Sequence, residues 1–231
     1  MRARERRPAR GGWTTSGCCA RAGGGEYVSR IKVLGISGSP RRGATAYAVQ
    51  EALAYAATLG DVETEFLSVR GKEIKFCIHC DYCVRKQEGC VFEDDVAKMY
   101  PSMEGADAWI LGTPVYQGTV SGQLKAVLDR CRAIVARDID ALKDKVGAAI
   151  AVGGDRIGGQ EPAIEALHAF FLANKMIPVS GGPFGANLGG TIWSRDKGAE
   201  GAEADEVGME GVRATVTRLI EVTTALRQGG P

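Results

Sequence analysis

The 231 residues carry 29 Lys and Arg against 28 Asp and Glu, a net charge of +1, yet six Arg and only two acids fall in residues 1–29 and leave a mildly acidic body. Such a body argues against nucleic acid as the main partner, because neutralising phosphates needs clustered Lys and Arg. No apolar run has the length of a membrane span or an export signal, and seven cysteines, four of them crowded together, do not make a secreted disulfide framework, so a cytoplasmic chain off the membrane is expected.

Residues 1–29, rich in Arg, Gly and Ser, read as a disordered arm, with translation expected to begin near Val28. Residues 30–231 read as one domain with a cysteine-rich insert at 75–93. At Ile31 the chain becomes apolar and β-branched for the length of a buried strand (Ile31, Val33, Leu34, Ile36). It breaks at Ser37-Gly38-Ser39-Pro40-Arg41-Arg42-Gly43 and resumes as a helix over 44–58. Helix N–H groups pointing back at a loop that carries Ser37, Ser39, Thr45 and Arg41 or Arg42 suit a phosphate monoester. The Lys-Ser/Thr ending of a Walker loop is absent, and the spacing of Gly35 and Gly43 excludes a dinucleotide fingerprint.

Residues 62–69 alternate as a strand does. There follow Cys77-x2-Cys80-x2-Cys83-x6-Cys90, ahead of a helix begun by Glu93, Asp94 and Asp95. Four thiolates with two-residue gaps can wrap an iron–sulfur cubane, whereas zinc, with His79 replacing one thiol, and metal-free thiols stay open on the residues alone. Cys131 reads as buried filler and His168 as an ordinary helical residue.

A third strand over 106–112 runs into Thr113-Pro114-Val115-Tyr116-Gln117-Gly118 and a helix over 121–131. This Pro-stiffened turn, with an aromatic ring and many N–H donors, suits a flat heteroaromatic ring. A small-residue strand over 146–152 leads to Gly153-Gly154-Asp155-Arg156-Ile157-Gly158-Gly159-Gln160, whose glycines let the backbone approach a ligand and whose Gln160 offers a donor and an acceptor. A helix over 161–173 and a short strand over 176–180 come next. Residues 181–208 read as a long, partly mobile loop, and 209–226 as a closing helix. Five strands alternating with five helices predict an α/β doubly wound parallel sheet. The order 2-1-3-4-5 is expected because it brings the loops after strands one and three to one crevice.

Gly38-Ser39-Pro40-Arg41 with Gly43-Ala44-Thr45 resembles the Gly-Ser-Pro-Arg…Gly-Asn-Thr turn of the NADPH-dependent FMN reductase family, a flavodoxin-like group; Ala44 stands where that family commonly has Asn. The segment from Thr113 through Lys125 to Asp129-Arg130 resembles its Pro-x-Tyr…Lys…Asp-Arg flavin loop, and Gly158-Gly159-Gln160 its Gly-Gly-Gln element. The resemblance runs over about 31–173. It implies FMN, with its phosphate held by Ser37, Ser39, Pro40, Arg41, Ala44 and Thr45. The ring would lie among Thr113, Pro114, Val115, Tyr116, Gly118, Gly153, Gly154, Asp155, Gly159 and Gln160. The cysteine motif resembles that of the iron–sulfur flavoproteins, a branch of the same family, and there implies a [4Fe–4S] cluster on Cys77, Cys80, Cys83 and Cys90. The implied activity is electron transfer between FMN and the cluster without a catalytic acid or base. NAD(P)H or a small carrier such as ferredoxin is the implied electron partner, and the implied assembly is a homodimer or homotetramer. Two rival functions are a cluster-free NAD(P)H-dependent FMN or quinone reductase and a non-catalytic flavodoxin-like electron carrier or redox sensor.

Overall fold

The computed structural model describes residues 30–229; the arm at 1–29, Val28 with it, lies outside the described residues. The first strand, β1 (Ile31–Ser37), is followed by α1 (Ala44–Ala56), β2 (Val62–Ser68), the short α2 (Tyr82–Lys86), and α3 (Asp95–Gly105). Next come β3 (Ala108–Pro114), α4 (Gly122–Arg130), α5 (Arg132–Arg137), β4 (Val146–Gly153) and α6 (Gln160–Ala173). The chain closes with β5 (Ile177–Val179), β6 (Gly190–Trp193), α7 (Gly198–Glu203) and α8 (Glu206–Gln228).

The sheet is parallel with the order β2-β1-β3-β4-β5, as expected. Burial explains the order. The two strands rich in small and apolar residues, β3 (AWILGTP) and β4 (VGAAIAVG), are buried throughout and lie inside. The Glu-bearing β2 is partly exposed at an edge. Side chains alternate between two cores. Leu34, Ile36, Trp109 and Leu111 face a cluster with residues of α3, α4 and α6, while Val33, Ile110, Ala148 and Ile150 face one with α1 and α8.

Residues 181–208 depart from the expected loop. After β5 has paired with Val146–Ala148, the chain crosses over and β6 takes the other half of β4, from Ile150↔Gly190 to Gly153↔Trp193. The crossing is tight at Gly189 (φ +155), where a Cβ would lie 2.5 Å from the Ala149 carbonyl oxygen. This sixth strand delivers Ser194–Gly198 to the carboxyl edge of the sheet. The parallel register brings Ser37 opposite Gly112 and Pro114 opposite Val152, so the loops after β1, β3 and β4 leave at that same edge.

Gly112 shows how closely α1 packs on the sheet, since a Cβ there would fall inside Val49 Cγ2. Gly112→Ala is expected to cost about 1–3 kcal/mol, the usual range for overpacking, and Val49→Ala in the same chain should recover part of it. Urea unfolding of the two singles and the double checks the coupling.

Candidate functional site

The loop after β1 is anchored from three directions. Gly38 N–H donates to Gly112 O (2.7 Å), the Ser121 hydroxyl donates to Gly38 O (2.6 Å), and a Cβ on Gly38 would lie 2.6 Å from Leu124 Cβ. Ser121 is also the N-cap of α4: its Oγ accepts from Leu124 N–H, and its own N–H donates to Thr113 Oγ1 (3.0 Å). The N-terminus of α1 is different. Gly43 occupies the cap position, no side-chain cap hydrogen bond is made there among the described residues, and no acid lies in the first turn. Ser39 Oγ accepts from Arg41 N–H (3.2 Å), and the buried Ser37 Oγ has no hydrogen-bond partner among the described residues. Helix donors without acceptors, a buried hydroxyl without a partner and two exposed arginines leave this corner short of an anion.

A cavity of ≈ 260 Å³ opens at this corner. Ser39, Arg41, Arg42, Gly43, Ala44 and Thr45 line it from the β1–α1 side, and Pro114, Val115 and Tyr116 from the end of β3. Val152 and Gly154 come from β4, and Ser194, Asp196 and Gly198 from beyond β6. Of the residues expected at a ligand, Ser39, Arg41, Ala44, Thr45, Pro114, Val115, Tyr116 and Gly154 therefore share one cavity.

Other expected residues act behind that lining. Pro40, Asp155 and Ser37 do not line the cavity, and the buried Thr113 hydroxyl receives the Ser121 N–H. Gly118 (φ +80) ends a tight turn in which Tyr116 and Thr119 exchange both backbone hydrogen bonds. Gly159 (φ +103) lies where a Cβ would meet Gly118 Cα at 2.8 Å, so two glycines let the second and third loops touch. Gln160 is turned inward. Its Oε1 accepts from Gly158 N–H (2.8 Å) and its Nε2 donates to Asp155 O (2.6 Å), which fills the space beside Gly153 and fixes the loop. The sequence reading missed Val152, Ser194, Asp196 and Gly198; the strand that brings the last three is four residues long.

The cysteine insert is fastened by a buried ion pair. Arg130 and Asp94 side chains are 1% and 0% exposed and pair in a fork: Nη1 donates to Oδ2 (2.8 Å) and Nη2 to Oδ1 (2.9 Å). The same guanidinium donates to Lys75 O (3.0 Å) and Phe92 O (3.2 Å), and Lys75 N–H donates to Asp94 Oδ2 (2.8 Å). Arg130 thus closes both stems of the insert. Burial pushes the Asp94 pKa up, but the hydrogen bonds from Arg130 and Lys75 and the Arg130 charge outweigh it, so its carboxyl stays below the usual range.

Between the stems, His79, Asp81 and Gln87 adopt left-handed φ of 52°, 56° and 57°. Asp81 receives Arg132 Nη2 (2.6 Å), which ties α2 to α5, and that hydrogen bond holds the Asp81 carboxyl below its ordinary value. Cys77, Cys80, Cys83 and Cys90 all carry free thiols, with Cys83 buried and Cys80 exposed. Among the described residues, no three His, Cys, Asp or Glu side chains gather as a metal-holding group. Cys131 is buried beside Met103, and burial pushes its thiol up to about 12, which leaves it inert. His168 lies on α6 against Phe171, its pKa lowered by burial.

The family described as NADPH-dependent FMN reductase matches residues 31–190. An iron-sulfur flavoprotein of Methanocaldococcus jannaschii is 54% identical over 192 residues, covering 83% of this chain and 96% of that protein. One from Archaeoglobus fulgidus is 53% identical over 190 residues, covering 82% and 96%. In the fold, a crystal structure of a flavodoxin, WrbA-like protein from Agrobacterium tumefaciens superposes with a TM-score of 0.57 at 20% identity, over 85% of this chain and 98% of that one.

Arg130→Met leaves Asp94 buried without its counter-charge and is expected to cost about 3–5 kcal/mol, whereas adding Asp94→Asn should recover much of the loss. A depressed Asp94 pKa gives stability that is present above the unfolded carboxyl value near 4 and lost as pH falls through the lower folded value. Denaturant midpoints across acid pH should therefore show a shallower acid decline for Asp94→Asn than for the wild type.

Proposed function

Because the chain belongs to the NADPH-dependent FMN reductase family, in its iron–sulfur flavoprotein branch, and is an FMN-dependent oxidoreductase, we propose that the cavity at the carboxyl edge of the sheet holds FMN. The observation that carries this is the start of α1, which has no side-chain cap among the described residues, beside Arg41 and Arg42 in the cavity wall, a set of donors suited to a dianionic phosphate. Ser39 and Thr45 supply hydroxyls at the same end. Pro114, Val115 and Tyr116 give the ring an apolar, aromatic wall held by the Tyr116–Thr119 turn. Bound flavin supplies the electron chemistry. The protein's part is to grip the phosphate, keep water from the ring and fix its orientation. No side chain needs to act as an acid or base.

Cys77, Cys80, Cys83 and Cys90 would hold a [4Fe–4S] cluster, which supplies one-electron capacity beside the flavin. Two facts support the donor set: four free thiols within one insert, and relatives named as iron-sulfur flavoproteins. A second reading keeps the flavin and drops the cluster, as a cluster-free NAD(P)H-dependent FMN or quinone reductase. The dispersed thiols favour it. The donor in either reading is NAD(P)H or a small carrier such as ferredoxin. Exposed Phe76, Ile78, Val84 and Val91 on the insert support a homodimer or homotetramer, and five free described cysteines support a reducing cytoplasm.

Anaerobic preparation followed by counts of FMN, iron and acid-labile sulfide per chain tests both readings. One FMN with about four irons and four sulfides is expected, and Cys83→Ser should lose iron while keeping FMN. Flavin without iron or sulfide in the wild type selects the second reading. A folded chain that binds no FMN overturns both.

A further inference from the structure

The turn after β6 has an expensive backbone. Ser194 O accepts from Lys197 N–H (2.8 Å), and the two residues between, Arg195 and Asp196, both have positive φ, 51° and 55°. Turns of this kind favour Asn and Gly at the two central positions, and an arginine there is strained. The surroundings hold the turn in place. Ser194 donates twice to Gly153 O, from N–H and from Oγ, each at 2.9 Å, while Trp193 N–H donates to the buried Asp205 Oδ2 (2.8 Å).

The turn carries its two central side chains to different places. Arg195 leaves the cavity and lays its guanidinium 4.4 Å from the centre of the Trp193 ring, whose surroundings also include Arg156, itself paired with Asp205. Asp196 lines the cavity. Its carboxylate lies over Gly154, so that a Cβ on that glycine would be 2.7 Å from Oδ1 and 3.0 Å from Oδ2. Asp196 has neither a hydrogen bond nor an ion pair among the described residues, and it falls beyond the residues the family matches. Two residues later, Gly198 Cα is 3.8 Å from where a Cβ on Gly43 would be, which places this strap beside the phosphate end of the cavity.

The cavity's other polar side chains are guanidiniums, which only donate, and hydroxyls, which donate and accept: Arg41 and Arg42, then Ser39, Thr45, Tyr116 and Ser194. A ligand gripped at one end by its phosphate and carrying hydroxyl donors in the middle needs an acceptor, and a carboxylate offers only acceptor atoms. We infer that Asp196 is a specificity-determining ligand of the flavin's sugar-alcohol chain, receiving a ribityl hydroxyl and selecting flavins that carry that chain over bare ring systems. This rests on the flavin reading above and names a residue that reading does not use.

The test is binding of FMN, riboflavin and lumiflavin, which lacks the ribityl chain, to the full chain, followed by flavin fluorescence. Asp196→Gly suits the left-handed backbone, so the folded protein should keep or raise its Tm while FMN and riboflavin both bind about tenfold or more weakly, the range for losing a hydrogen bond to a charged group. Lumiflavin should bind as before. Asp196→Asn, which keeps one acceptor and tolerates the turn, should lose less. Unchanged riboflavin affinity in Asp196→Gly, a loss shared by lumiflavin, or a gain confined to FMN would each overturn the assignment. Each of those outcomes leaves wild-type flavin binding intact; a wild-type chain that binds none of the three overturns the flavin reading and this inference with it.

Discussion

The Arg130–Asp94 pair ties the cysteine insert to the helix that anchors the cavity loops. Helix α4 spans nine residues, roughly 13 Å at 1.5 Å per residue, and is held at both ends. At its start Ser121 grips the β1–α1 loop through Gly38 O and the end of β3 through Thr113. At its finish Arg130 grips the two stems of the cysteine insert through Lys75 O, Phe92 O and Asp94. A buried charge pair is a poor source of net stability, because desolvating both partners offsets their attraction. Its value lies in what it forbids. With both terminal nitrogens of the fork paired and only Nε without a partner among the described residues, the stems have one register relative to α4, and through α4 one register relative to the cavity.

This gives Asp129-Arg130 a different meaning from the one its place in the motif suggests. Read along the sequence, the dipeptide belongs to the flavin loop. In the fold, its arginine faces away from the cavity and reaches the segment between β2 and α3. The helix between Tyr116 and Arg130 is therefore the connection between the cavity's aromatic wall and the thiol loop. Tyr100 completes the contact by donating its hydroxyl to Arg130 O (3.1 Å).

Much of the architecture was legible because it rests on local signals. The run from Ile31 to Ile36 marked a buried strand, the Ala-rich stretch after Gly43 a helix, and most of the hydroxyls and arginines between them line one cavity. The order of strands followed from where the richest loops lay. What escaped detection depended on distant partners. Gly190–Trp193 is a strand only because β5 stops at Val179 and leaves half of β4 unpaired; nothing in Gly-Thr-Ile-Trp announces this. Gly198–Glu203, with two glycines in six residues, is a poor helix by propensity and forms against α1 and α8. Losing those two elements from the reading lost Ser194, Asp196 and Gly198 with them. Gln160 is a subtler case. Its residue type fits a ligand contact, but both of its polar ends are used within its own loop, a distinction only the coordinates make.

The insert combines a rigid stem with a strained tip, and the two properties serve different ends. The stem is held by a buried ion pair and closed by five hydrogen bonds around Arg130 and Asp94. The tip carries three left-handed non-glycine residues, four dispersed thiols and apolar side chains turned to solvent, with Phe76 69% and Ile78 64% exposed. A tip that must gather thiols around a metal, or bury apolar groups against a second subunit, has to rearrange. The clamp confines that rearrangement to residues between Lys75 and Phe92. The β1–α1 loop and the end of β3 are anchored at the other end of α4, through Ser121, away from that tip.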